Sequence, residues 1–225
     1  MKDYQFQAGS KTVRFTADIT ADAAKFFEEL LTDQERKYGI VADGKRIQIL
    51  SLFFILSAEK GGFRVFAPDY AGNPAEDMIS DLTLSIQILG QQLFIMQKTG
   101  LAPQDTVSLL DTAVVRRTVQ TSPDVYLMKQ ERKKNHDSGL YLGSLSDHGS
   151  SDNPDDYTVL PLYSLLKSHP AALAAVGLPV GAMRLSGRMK SPVSVIRTER
   201  KFSAESIKWS SKKPEDCTDS SQAFS

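Results

Sequence analysis

Ser146, Asp147 and His148 stand side by side in the polar stretch SLSDHGSSDNPDD (144–156), and their types are those of a nucleophile, an orienting acid and a base. Hydrolysis by such a set needs side chains converging from separately positioned elements, normally with a strained elbow that exposes the serine. Three successive residues of one loop diverge instead, and the chain contains no Gly-x-Ser-x-Gly. The same region offers oxygen ligands: Asp137, Asp147, Asp152, Asp155 and Asp156 fall within 20 residues that include no Lys or Arg. Calcium favours carboxylates, but a calcium loop alternates Asp or Asn around a central Gly, and that pattern is missing. His136, His148 and His169 have no metal-like spacing either, so the residues predict Asx turns around Asn153-Pro154 rather than a metal site.

A phosphate cradle requires a glycine-rich loop between a strand and the helix it opens, whereas Gly177-Leu178-Pro179-Val180-Gly181 follows a helical pattern and precedes a strand. A tight turn is the expectation there. Basic residues gather at 129–134 (KQERKK) and over 184–201, without interleaved aromatics, and 27 Lys and Arg balance 27 Asp and Glu across the chain. No overall field therefore draws nucleic acid or an anionic membrane. The single cysteine, Cys217, excludes an internal disulfide and a cysteine-rich zinc site. The residues predict no catalytic centre, no metal and no cofactor, and they favour a binding role over catalysis.

The elements that must position these residues follow from periodicity. Residues 4–6 and 12–16 alternate like two strands around Ala8-Gly9-Ser10, and a helix is predicted over 21–38, capped by Thr20 and stopped at Gly39. The run from Arg46 to Ala58 reads as a strand, with a helix as the alternative, and Gly61-Gly62 turns it into a second strand over 63–67. Asn73-Pro74-Ala75-Glu76 has the form of a helix start, and Met78, Leu82, Ile86, Leu89, Leu93 and Met96 continue at helical steps to Gly100. Beyond Val107 come strands at 112–116, 125–128, 140–142 and 182–185, with short helices at 161–168 and 171–176. The pattern is α+β: an N-terminal helix and hairpin unit, 1–118, packed with a smaller C-terminal α+β domain, 119–198, and a flexible tail, 199–225. The most apolar run, 47–58, is 12 residues long, against the roughly 20 a membrane helix needs. With no signal-peptide core at the start, the expectation is a cytoplasmic protein without a membrane partner.

DSGLYLG (137–143), DNPDDYTVLPLYSLL (152–166) and HPAALAAVGLPVGAMRL (169–185) set an Asp-Ser-Gly before a strand, then an Asn-Pro-Asp loop, a short helix, and a Pro-Val-Gly opening the last strand. In that order and spacing they resemble the immunity protein 33 family, α+β domains found beside bacterial polymorphic toxins. FRVFAPDYAGNPAEDMISDLTLSIQILGQQ (63–92) is similar to the N-terminal extension of longer members. The resemblance implies a toxin-neutralising immunity protein that binds a cognate toxin or effector stoichiometrically, the partner encoded by the adjacent gene, with no direct contact to nucleic acid. It implies no site residues, since immunity proteins of one fold meet different toxins through different surfaces. Charge supplies them instead. A toxin that attacks nucleic acid carries a basic cleft, so Asp147, Asp152, Asp155 and Asp156 are the expected partner-binding residues. The competing readings are a non-catalytic small-ligand or regulatory protein-binding module and a cryptic hydrolase.

Overall fold

Alternating burial along Lys2–Ala8 (β1) and Lys11–Ala17 (β2) makes an antiparallel hairpin, turned at Gly9 with φ +65°. The computed structural model describes residues 1–100, 107–147, 153–186 and 194–197. The first helix, Ala21–Tyr38 (α1), has the bounds read from the sequence. Thr20 Oγ1 accepts the Ala23 N–H at 3.3 Å, and Gly39, left-handed at φ 60°, returns its N–H to Glu35 O. Its buried stripe, Ala24, Phe27 and Leu31, faces the sheet, where the Phe27 ring lies 5.1 Å from Phe15 and 5.2 Å from Phe54.

The apolar run after Arg46 makes two strands, not one. Lys45–Ile49 (β3) and Leu52–Glu59 (β4) pair antiparallel, and the chain reverses at Leu50, a non-glycine residue with φ 54°. Two contacts hold this uncommon geometry: Ser51, buried, accepts Gln92 Nε2 on its hydroxyl at 2.6 Å and Leu109 N on its carbonyl at 2.9 Å. Gly62–Pro68 (β5) then pairs with β4 and, in parallel, with β2, giving the order β1-β2-β5-β4-β3. A Cβ on Gly62 would lie 2.4 Å from Thr12 O, so glycine is required for the two strands to meet.

The helix start read at Asn73 is not one. Asn73 O accepts the N–H groups of Glu76 and Asp77, closing a single turn, after which Met78–Ile79 (β6) pairs with Ala67 and Pro68. The second helix, Thr83–Thr99 (α2), begins where Asp81 Oδ1 accepts the Thr83 N–H at 3.0 Å. The strand pairing outcompetes the local capping signal, and Met78 ends 39% exposed rather than in the helical stripe.

The second half is built on Thr112–Arg116 (β7), Val125–Lys129 (β8), Asp137–Ser144 (β9), Tyr157–Pro161 (β10), Ala182–Ser186 (β11) and Ser194–Arg197 (β12), in the sheet order β10-β7-β9-β8-β11-β12. This sheet opens at Thr112, so a division after residue 118 runs through it. The residues 161–168 form a 3₁₀ turn at Leu162–Leu166, followed by the one-turn helix Pro170–Leu173 (α3). Lys129, the first residue of the basic run 129–134, is the last residue of β8, 2% exposed, with Nζ donating to Ser138 O. The tail expected at 199–225, with Cys217, lies outside the described residues.

Both halves share one buried apolar cluster. Gln92 of α2, fully buried, joins them: its Nε2 donates to Ser51 Oγ in the first sheet's turn and to Leu173 O of α3 at 3.0 Å. The architecture is α+β. No helix among the described residues is long and apolar enough to cross a membrane.

Candidate functional site

Four strand ends meet at one end of the second sheet. Arg116, last in β7, registers with Tyr157, first in β10, while Val125, first in β8, registers with Ser144, last in β9. The loops leaving these ends carry Asp124, Asp147, Asp155 and Asp156 against Arg116 and Arg117. Asp147, one of the expected partner-binding residues, points inward: its Oδ2 lies 3.3 Å from Arg116 Nε, accepts Thr118 Oγ1 at 2.7 Å, and its side chain is 12% exposed. Asp155 is exposed, and its carbonyl accepts Arg117 Nε at 2.7 Å. Asp156 is half-buried beside it. Asn153 Oδ1 accepts the Asp155 N–H at 3.1 Å, the Asx turn that Asn-Pro favours, with Pro154 starting a 3₁₀ turn. Asp152 and His148 lie outside the described residues.

The five aspartates of 137–156 therefore do not gather in one place. Asp137 sits at the far end of β9, roughly 23 Å from its last residue at strand rise, where its carboxylate accepts the N–H groups of Lys133 at 3.1 Å and Gly139 at 2.9 Å. The rest of Asp-Ser-Gly is equally structural. Ser138 Oγ donates to Thr112 O at 2.7 Å and accepts from Leu140 N at 3.1 Å, bridging the register shift between β7 and β9. Gly139 takes φ 68°, and a Cβ there would lie 2.3 Å from Gln130 O. The Asp-Ser-Gly segment is thus a bulge in β9.

Ser146 and Asp147 turn apart. Ser146 Oγ lies 2.6 Å from Ser144 Oγ, while Asp147 is held by Arg116 and Thr118. His169 Nε2 contacts Val119 O at 2.9 Å, and the side chain of His136 is 87% exposed at the opposite end of β9, 3.8 Å from Asp111 Oδ1. No group of three or more His, Cys, Asp or Glu side chains converges among the described residues. Gly181 takes φ 83° and donates its N–H to Lys129 O, as expected of a turn into β11.

One feature of this end was not anticipated from the sequence. Tyr126, Tyr141 and Tyr157 form a row on the sheet face opposite the core, with ring centroids 5.8 Å and 6.0 Å apart. Burial holds the Tyr141 hydroxyl well above the usual phenol range, and hydrogen bonding with Tyr126 and Tyr157 adds to it, so Tyr141 is uncharged at any physiological pH. The Tyr126 ring lies flat across Gly143, where a Cβ would come 2.4 Å from Cζ. Val159 extends the face, 60% exposed, with Val114 and Met128 half-buried between. The signal lay in VYLM, LYLG and YTVL: one parity of these strands fills the core, and tyrosine, methionine or valine occupies much of the other parity, where a solvated strand carries polar residues.

No family model, curated protein or solved structure matches the chain.

Proposed function

We propose that the protein is a toxin-neutralising immunity protein: a non-catalytic, stoichiometric binder, acting in the cytoplasm, that occludes a bacterial toxin or effector encoded beside it. The observation that carries this reading is the concentration of aspartates at the end of the second sheet, on loops held by strand ends rather than free. Asp124, Asp155 and Asp156 stand around the Arg116–Asp147 ion pair, with four aspartates against two arginines. An acidic rim of this kind steers a cationic cleft into register and raises the association rate. Asp155 and Asp156, with Asp152 from the same loop, are proposed as the steering groups. Asp147 is proposed to act by fixing Arg116 and the loop rather than by direct display. The resemblance of 137–185 to the immunity protein 33 family supports the same reading, and the smaller C-terminal domain is proposed to be of that type.

Co-expression of the chain with the product of the adjacent gene tests it. The two proteins are expected to copurify in a 1:1 complex, and growth arrested by the adjacent product is expected to resume. Growth rescue without a complex would replace stoichiometric binding by catalysis, and neither rescue nor complex would overturn the reading.

A further inference from the structure

We infer that the outward face of the second sheet, centred on Tyr126, Tyr141, Tyr157 and Val159, is the docking surface for a cationic partner protein; this rests on the immunity reading and names the surface it uses. The other side of the same sheet is spent on the core: Val115, Leu127, Leu140 and Leu142 are at most 2% exposed and share one cluster with Leu162, Leu165 and Leu173 of the short helical segments. Among the described residues those segments are the helical elements of this half, apart from the 3₁₀ turns at Arg117–Gln120 and Pro154–Asp156. The outward side instead leaves Val159 60% exposed in mid-strand, beside half-buried Tyr126, Tyr141 and Tyr157.

Three properties make this face fit a protein rather than a small ligand. Its side chains come from four adjacent strands, β10-β7-β9-β8, rather than from the lining of one cleft. Its anchors are tyrosines held against one another and against Gly143, which lowers the entropy lost on docking and is the side-chain type that concentrates binding energy in interfaces. It also runs directly into the acidic end, because Tyr157 follows Asp156 and registers with Arg116, the partner of Asp147. An uncharged aromatic centre with an acidic rim selects a partner whose apolar patch is bordered by Lys and Arg.

The test uses the full chain and the product of the adjacent gene, with association and dissociation rates measured at low and physiological salt. Val159→Lys adds a cation to an exposed position that supports nothing beneath it, and Tyr157→Ala removes one anchor. Each is expected to weaken affinity at least tenfold while the thermal midpoint stays within about 2 °C of the parent, and Val159→Glu is expected to bind more tightly than Val159→Lys. Phe94→Ala, at an exposed position on α2, is expected to bind as the parent does. Parent-like affinity in both Val159→Lys and Tyr157→Ala would overturn the placement while leaving the immunity reading intact. No binding by the parent chain would overturn the reading itself. Equal loss in Val159→Glu and Val159→Lys would overturn the cationic partner, and self-association of the chain abolished by Val159→Lys would give the face to a second copy.

Discussion

The outward faces of the two sheets differ in how they meet water. On the first, charged side chains satisfy one another across strands: Arg64 bonds Glu59 at 2.8 Å and 3.0 Å and Asp3 at 3.1 Å, Arg14 donates to Gln5 at 3.0 Å, and the Arg46 guanidinium covers the Phe53 ring at 3.9 Å. On the second, the rings of Tyr126, Tyr141 and Tyr157 stand side by side with an exposed Val159, next to the Arg116–Asp147 ion pair. A sheet whose polar groups are already paired gains little by meeting another protein, since each pair must be desolvated. A sheet that shows aromatic surface gains by covering it. Two sheets of similar size in one chain thus meet water differently, and the difference turns on side chains rather than topology.

The largest effects are expected where each sheet meets its own support. Phe27→Ala removes the ring between Phe15 and Phe54 and is expected to cost about 3–5 kcal/mol. Gly139→Ala puts a Cβ against Gln130 O at a left-handed residue and is expected to cost about 3 kcal/mol, despite changing one methyl group. Because Gln92 ties both halves into one core, urea unfolding followed by tyrosine fluorescence and by circular dichroism is expected to show one shared transition in each variant. Two separated transitions would break the halves into independent units.

Charge separates the two regions next. Asp147→Asn is expected to lose about 1.5–3 kcal/mol, the worth of hydrogen bonds to a charged group, because its carboxylate is held by Arg116 and Thr118. Asp155→Asn, eight residues on and exposed, is expected to stay within about 0.5 kcal/mol of the parent while slowing association. Equal destabilisation by the two in thermal melts would mean that the whole loop is scaffold.

In the first half Glu35 supplies a pH-dependent contact. Burial alone would raise its carboxyl, but the Val41 N–H at 2.6 Å and Lys11 Nζ at 3.0 Å outweigh it and hold the carboxyl below its ordinary 4.5. A depressed folded value means stability that is present above the ordinary value and lost as pH falls through the folded one. Glu35→Gln is therefore expected to cost about 1–2 kcal/mol at neutral pH, with the gap to the parent closing below pH 4.5 in a stability series. The smallest effect is expected at Arg14→Gln on the first sheet's outward face, within about 0.5 kcal/mol in stability and without change in partner binding. Loss of binding there would reverse the comparison between the two faces.

Local signals carried the first half of the fold as far as they were strong. Thr20 and Gly39 bound α1, and the alternation around Gly9 marked the first hairpin, because caps and short hairpins are decided within a few residues. The break at Leu50-Ser51 was hidden because contacts from Gln92 and Leu109, 41 and 58 residues away, hold it. Asn73 misled for the same reason, its capping pattern losing to a pairing with Ala67 and Pro68. β10 was not picked out as a strand because its neighbour β7 lies far upstream. At the site, the acidic stretch was legible but not its inward bonds, since Arg116 and Arg117 reach it from 30 residues away or more. The tyrosine row was spread over three strands of unremarked alternation, and only their order in the sheet assembles it.

The most direct measurement is the association rate between the full chain and the product of the adjacent gene as a function of salt, compared for the parent and the Asp155→Asn, Asp156→Asn double variant. The parent rate is expected to fall steeply as salt rises, and the variant to be several-fold slower at low salt with a flatter dependence, its thermal midpoint unchanged. A variant that associates as fast as the parent at low salt, with the same salt slope, would contradict the steering role of Asp155 and Asp156.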